Sequence, residues 1–255
     1  MKIGLKVWAS NIQYVAEARK LVLEGFCDFL EIYINSDCKK EDVNYWKGFF
    51  CPICLHAPHS YGGFNPGKAG SLEEKRKILE KVEYCCQELN PKYIIFHPGI
   101  DGTIKESIRQ YKVFKRDFSG VFQMSLIENK PKVGLNGEFC LGASPQEIKE
   151  MRNHLGFGFC LDVAHAICYA AWAGEKWEIV LEEFLLLRPQ MIHLSDGYVN
   201  SVKDTHLHFG KGNYDFIAIL SKFTSEFMIT IETPHDFLDQ LKDFKEDVLF
   251  LRRLL

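Results

Sequence analysis

Short apolar runs alternate with amphipathic stretches along almost the whole chain. Eight of the runs read as strands, at residues 3–8, 29–34, 52–56, 93–97, 124–128, 158–162, 191–193 and 228–232. Amphipathic stretches at 12–24, 71–89, 103–117, 144–155, 176–187, 214–223 and 237–254 predict helices between and after them. Ser71, with Glu73 and Glu74 behind it, reads as a helix cap, and Ser144 followed by Pro145 as another with proline at the first helical position. Such alternation is what a parallel sheet requires, and eight βα units of about 32 residues match the repeat of a closed eight-stranded barrel. No Gly/Ser/Pro-rich linker or low-complexity run divides the chain. The expected architecture is a single (β/α)8 TIM barrel of the α/β class over residues 1–255.

Composition narrows this without changing it. With 47% hydrophobic and 25% charged residues, disordered, collagen-like and coiled-coil chains are excluded. A formal charge of -3 means that any polyanion must be met by a local basic patch or by bound metal ions, because the global field does not attract it. Lys6 interrupts the first apolar run, no stretch of eighteen uninterrupted apolar residues follows, and a cytoplasmic protein is expected. The nine cysteines are odd in number and several sit inside apolar runs, as reduced core thiols do. Cys51 and Cys54 have the spacing of a redox or zinc pair, but with no second pair they read as two thiols at a strand start.

The informative feature is where metal-binding residue types fall. The third to the eighth predicted strands end in His56, His97, Glu128, Asp162, His193 and Glu232, separated by 41, 31, 34, 31 and 39 residues. Each is thus about one βα unit from the last, and all would meet at the carboxyl-end mouth, where barrels of this kind build their sites. His165 lies three residues past Asp162, and Asp204 and His206 lie two apart in the loop after the seventh strand. Five histidines and four carboxylates suit zinc or another borderline divalent metal. Singly, each strand-end residue reads as an ordinary hydrogen-bonded group, as do His59, His154, His208 and His235. Nine converging together do not. Lys39 with Lys40 and Lys130 with Lys132 offer phosphate contacts in principle, but isolated lysine pairs on loops read as solvated.

The stretches Leu55-His-Ala-Pro-His-Ser60, Ile94-Ile-Phe-His-Pro-Gly99, Leu126-Ile-Glu-Asn129, Cys160-Leu-Asp-Val-Ala-His165, Ile192-His-Leu-Ser-Asp196, Asp204-Thr-His-Leu-His-Phe-Gly-Lys-Gly-Asn213 and Ile229-Thr-Ile-Glu-Thr233 resemble the xylose isomerase-like barrels, and within them endonuclease IV. The resemblance runs from the third strand to the eighth. It implies three zinc ions, with Mn2+, Co2+ or Mg2+ as substitutes. Glu128 would bridge two of them, one completed by His56 and His97 and the other by Asp162, His193 and Glu232. His165, Asp204 and His206 would hold the third. The implied reaction is cleavage 5′ to an abasic site in DNA by metal-bound hydroxide, with Glu128 and Glu232 as the catalytic carboxylates and no side chain as nucleophile. His59 and Lys211 are the expected substrate contacts, and the protein is expected to be a monomer.

Charge supports the assignment. Three divalent ions against four carboxylates leave two positive charges, which a hydroxide and a phosphodiester monoanion neutralise. The sugar or sugar-phosphate isomerases and epimerases resemble only the subset Glu128, Asp162, His193 and Glu232 around one divalent metal. There the balance is one negative charge, suited to proton abstraction from a neutral ketose. Two departures concern DNA: His59 stands where endonuclease IV proteins usually have tyrosine, and the loop at 35–49, with Tyr45 and Trp46, is short and lacks an arginine to insert. A barrel that binds metal or sugar without catalysis is the third expectation, against which the complete ligand set argues.

Overall fold

The computed structural model describes residues 1–254. Eight parallel strands close on themselves in chain order, with β1 paired to β8. They are β1 (Lys2–Trp8), β2 (Phe29–Tyr33), β3 (Ile53–His56), β4 (Ile94–Phe96), β5 (Ser125–Glu128), β6 (Gly158–Asp162), β7 (Met191–Leu194) and β8 (Met228–Ile231). Around them lie α1 (Val15–Leu23), α2 (Lys40–Tyr45), α3 (Leu72–Leu89), α4 (Ile104–Asp117), α5 (Ser119–Phe122), α6 (Pro145–Leu155), α7 (Val163–Ala173), α8 (Trp177–Leu185), α9 (Phe216–Leu220) and α10 (Lys242–Leu254). The architecture is the (β/α)8 barrel that the alternation predicts.

The strands sort their side chains by period two. One set, including Leu30, Leu55, Ile94, Phe96, Ile127, Leu161 and Ile192, joins the helices in the large outer core. The other faces inward. Phe29, Cys54, Ile95, Leu126, Cys160, Met191 and Met228, one from each of β2 to β8, form a separate buried cluster that plugs the barrel. β1 contributes Gly4 at this level, where a Cβ atom would fall 2.2 Å from the Phe29 ring. Glycine there is what lets the phenylalanine fill the floor.

Several boundaries differ from the expectation, each for a local reason. β4 and β8 stop one residue early, so His97 and Glu232 are the first residues beyond their strands. α7 was absent from the predicted set because Val163-Ala-His-Ala-Ile-Cys-Tyr-Ala has no polar face; it is buried almost all round, and periodicity is silent for such a helix. Its start is fixed by Asp162, whose side chain accepts the His165 N–H at 2.7 Å. The segment predicted at 214–223 forms only Phe216–Leu220, capped by Asp215, and the closing helix begins at Lys242. The loop after β2 is not empty: it carries α2, and Trp46 behind it is buried with its indole N–H donating to the Ala9 carbonyl at 2.8 Å.

Ser71 and Ser144 cap α3 and α6 as expected. All nine cysteines are free thiols; burial pushes the Cys51 thiol up to about 11 and the Cys54 thiol higher still. No helix among the described residues is long and apolar enough to cross a membrane.

Candidate metal centre

Two residues along each strand from the apolar floor, about 6.6 Å further up the barrel, the inward positions become Lys6, Glu31, His56, His97, Glu128, Asp162, His193 and Thr230. The strand ends therefore place the predicted ligands in one layer because they share one face. His165 joins them from the first turn of α7, and Asp204 and His206 from the loop after β7. Glu232, the first residue beyond β8, completes the set, and all nine predicted ligands come together.

Five overlapping groups of three form, two of which, Glu31 with His56 and Glu232 and Glu128 with Asp162 and His165, cut across the predicted assignment, while the other three coincide with it. The ligand atoms of His56, His97 and Glu128 lie within 4.8 Å of one another, as do those of Asp162, His193 and Glu232, and those of His165, Asp204 and His206. Glu128 is the hub. Its Oε2 lies 3.1 Å from His56 Nε2, 3.0 Å from His97 Nε2 and 3.5 Å from His193 Nδ1, and its Oε1 lies 3.3 Å from His165 Nδ1. In the other two groups His193 Nδ1 is 2.7 Å from Glu232 Oε1, His206 Nε2 is 2.8 Å from Asp204 Oδ2, and His165 Nε2 is 3.2 Å from the same oxygen. Ligands about 2.1 Å from a tetrahedral zinc stand roughly 3.4 Å apart, so these spacings fit a divalent ion.

The hydrogen bonds of the rings strengthen that fit. His56 Nδ1 donates to the Ala57 carbonyl at 2.9 Å, His165 Nδ1 to the Asn129 carbonyl at 2.9 Å, and His206 Nδ1 to the Glu232 carbonyl at 2.9 Å. His193 Nε2 donates to Glu31 Oε2 at 2.8 Å. Four imidazoles thus have one nitrogen tied to an acceptor, which turns the lone pair of the other into the cluster, the usual device for orienting metal-binding histidine. His193 Nδ1 and Asp204 Oδ2 are buried and receive no hydrogen bond despite their close neighbours. In the metal-free site the imidazoles that face these carboxylates are held protonated by them, and a cation that displaces those protons would meet nitrogen and oxygen lone pairs already converged.

Charge in the metal-free site follows from the same contacts. Burial pushes the Glu128 carboxyl up, but His97, His193, His165 and His56 outweigh it and hold it well below the usual range. Burial opposes charging His165 and His206, yet Asp162 and Asp204 carry the first to about 10 and Asp204 carries the second to about 9. Asp162 goes the other way, up to about 6, because burial and its carboxylate neighbours exceed the pull of His165. His206 also holds φ 46, a strained left-handed conformation for a residue with a side chain. Its loop is anchored by buried Asp196, which accepts the backbone N–H groups of Gly197, Gly210 and Gly212 at 2.7–2.8 Å.

Three features were not in the predicted site. Lys6 pairs with Glu232 and, at 3.2 Å, with Glu31, which also accepts the Thr230 hydroxyl at 2.7 Å. Burial raises Glu31, but His193 and Lys6 bring it down to about 2, so it stays ionised beneath the cluster. Asn129 clips β5 to β6, donating to the Asp162 carbonyl at 2.9 Å and accepting its N–H at 2.8 Å. The signal for Lys6 and Glu31 was present: a charge in mid-strand, two residues from an inward apolar one, has nowhere to point but the barrel interior.

The predicted substrate contacts separate. His59 lines the cavity of about 610 Å³ above the cluster, stacked between Tyr33 and His97 with ring centroids 5.3 and 5.8 Å away. Burial, with Lys130, His56 and Lys6 nearby, depresses it to about 3, so it is neutral. Lys211 is exposed on the loop after β7 and is not among the cavity-lining residues. Nor do the other loop lysines make one rim: Lys132 lies 3.7 Å from Glu147 and over the Trp172 ring, while Lys203 reaches the Leu135 carbonyl.

A family model described as xylose isomerase-like TIM barrel matches residues 38–254. The chain belongs to this family. Within it, the chain is 25% identical to a protein named probable endonuclease 4 from Aquifex aeolicus over 224 residues, covering 80% of this chain and 78% of that one. Two solved structures share the fold at a TM-score of 0.73: endonuclease IV from Thermus thermophilus, 18% identical over 100% of this chain and 98% of that chain, and a D-tagatose 3-epimerase-like protein, 19% identical over 100% and 97%. Solved structures carrying names of both kinds that the ligand set suggests thus share this fold.

Proposed function

We propose that the chain is a metal-dependent phosphodiester hydrolase. The observation that carries this is the convergence of nine ligands, among whose overlapping groups are the three that the resemblance implies, with four of the five imidazoles pinned by their other nitrogen. A mononuclear site has no use for His56, His97, His165, Asp204 and His206 together. Zinc fits the donors, and Mn2+, Co2+ or Mg2+ are the substitutes to try. Bound there, the ions would supply a nucleophile from water near neutral pH and neutralise charge on the phosphate oxygens.

The chain's own groups have distinct duties. Glu128 and Glu232 are the carboxylates at the centre, Glu128 linking all three groups and Glu232 joining the second group to Lys6. Glu31 keeps the His193 proton on Nε2, and neutral His59 shapes the wall. Hydrolysis breaks one P–O ester bond, forms another from water, and passes the proton to the departing alkoxide. The resemblance to endonuclease IV makes DNA with an abasic site the first macromolecular substrate to try.

The decisive experiment pairs metal analysis with hydrolysis assays on an abasic duplex and on a small diester. About three ions per chain and cleavage of either ester support the proposal. One ion with no cleavage of either overturns it. A second reading, sugar or sugar-phosphate epimerisation at one ion held by Glu128, Asp162, His193 and Glu232, is favoured by the cavity, whose volume suits a small ligand. His165→Ala separates the two: it disables hydrolysis and leaves epimerisation intact.

A further inference from the structure

The duties assigned above leave one cation of the cavity without a role. Lys130 stands two residues past Glu128, and its side chain is only 19% exposed. Its Nζ lies 3.4 Å from His165 Nε2 and 3.9 Å from Glu128 Oε1. Neither is a close ion pair, and the first faces a nitrogen that the proposed site gives to an ion. Lys6, by contrast, is paired with both Glu31 and Glu232. A largely buried ammonium without a close carboxylate is costly unless an anion completes it. With an ion on His165 the two positive charges repel, and an oxyanion between them satisfies both. Lys6 and Glu31 cancel, while Lys130 raises the balance of a three-ion site from two positive charges to three.

Above Lys130 the chain crosses the mouth as a strap over residues 131–141. It is tied at three places. Ile100 bridges Cys140 beside β4, Tyr61 beyond β3 bonds Glu138 and accepts from Asn136 Nδ2 at 2.8 Å, and Lys203 beyond β7 donates to the Leu135 carbonyl at 3.0 Å. Beneath it the cavity of about 610 Å³ has Trp8, Tyr33 and Tyr61 in its walls. That is the volume of a small-molecule site, with aromatic faces for a flat or ring-shaped group.

Resting on the hydrolase reading, we propose that the substrate is a small phosphate ester, up to about nucleotide size, seated beneath the strap with its phosphate held by Lys130. The test uses the zinc-loaded full chain and its Lys130→Met and Lys130→Arg variants. Inorganic phosphate affinity is measured by calorimetry, and kcat and KM with thymidine 5′-(p-nitrophenyl phosphate) and with an abasic duplex. The small diester is expected to have the higher kcat/KM. Lys130→Met is expected to raise its KM and the phosphate Kd about ten- to a hundredfold, with zinc content unchanged and most of the loss recovered in Lys130→Arg. An unchanged phosphate Kd in Lys130→Met, a loss of zinc in that variant, or a preference for the duplex overturns the proposal. Lys130-dependent phosphate binding with no cleavage of either ester supports the anion site and defeats the hydrolase reading instead.

Discussion

At the floor of the barrel Phe29, Cys54, Ile95, Leu126, Cys160 and Met191 pack against one another, and two residues further along the same strands stand Glu31, His56, His97, Glu128, Asp162 and His193. Both levels are buried, both face inward, and both are held by the same strand register. They differ in what satisfies them. The floor is complete in itself, because apolar side chains need only neighbours. The upper level holds buried lone pairs and charges, two of them without a hydrogen bond, gathered in groups that could hold cations. One backbone thus supplies a rigid plug and, immediately above it, a preorganised electrostatic site.

The comparison breaks most visibly at its hub. Glu128→Gln keeps the shape of the side chain and removes the charge that four imidazoles surround; hydrolysis should fall by on the order of a thousandfold or more, with loss of bound metal. Kinetics on the purified variant beside elemental analysis checks this, and retained metal with retained rate would remove Glu128 from the centre. The floor should respond in the opposite sense. Phe29→Ala empties the plug opposite Gly4 and should cost about 3–5 kcal/mol in denaturant unfolding, while the fraction that remains folded keeps its full complement of metal.

Smaller changes sharpen the division within the upper level. His165→Ala removes one arm of the third group and should lower the metal count by one, with hydrolysis reduced on the order of a hundredfold; an unchanged count would dissolve that group. Glu31→Gln leaves the nine predicted ligands in place but weakens the acceptor that fixes the His193 tautomer, and a roughly tenfold or greater loss of zinc affinity in chelator competition is expected.

The gentlest probe is pH. In the metal-free protein His165 and His206 hold their protons to about 10 and 9, above the ordinary histidine value. Raised folded-state values contribute stability that is complete below the unfolded value near 6.5 and is lost as pH climbs through 9 and 10. Metal needs those same nitrogens unprotonated. Between pH 7 and 9 the melting temperature should therefore fall in chelator while the upward shift produced by zinc grows; parallel slopes would refute the coupling.

Much of this centre was legible in the chain because a strand that ends in His, Asp or Glu advertises it. His56, Glu128, Asp162 and His193 close apolar runs, and the βα spacing delivers them to one mouth. Lys6 and Glu31 escaped because they interrupt strands rather than end them, and a charge inside an apolar run looks like noise until the inward face is known. In the sequence Lys130 is one of a pair of loop lysines with nothing to set it apart from a solvated one; only the strap above it and the turn after β5 bring it into the cavity. Lys211, chosen from a ligand-rich stretch, lies outside because Asp196 gathers the backbone of Gly210 and Gly212 and leaves that side chain in solvent. α7 was invisible because burial on every side erases the helical period.

Elemental analysis of metal per chain, on protein purified without chelator, tests the three-group assignment before any substrate is chosen. Close to three zinc-like ions per chain are expected. A single ion would contradict the trinuclear centre and leave the four-ligand epimerase site in its place.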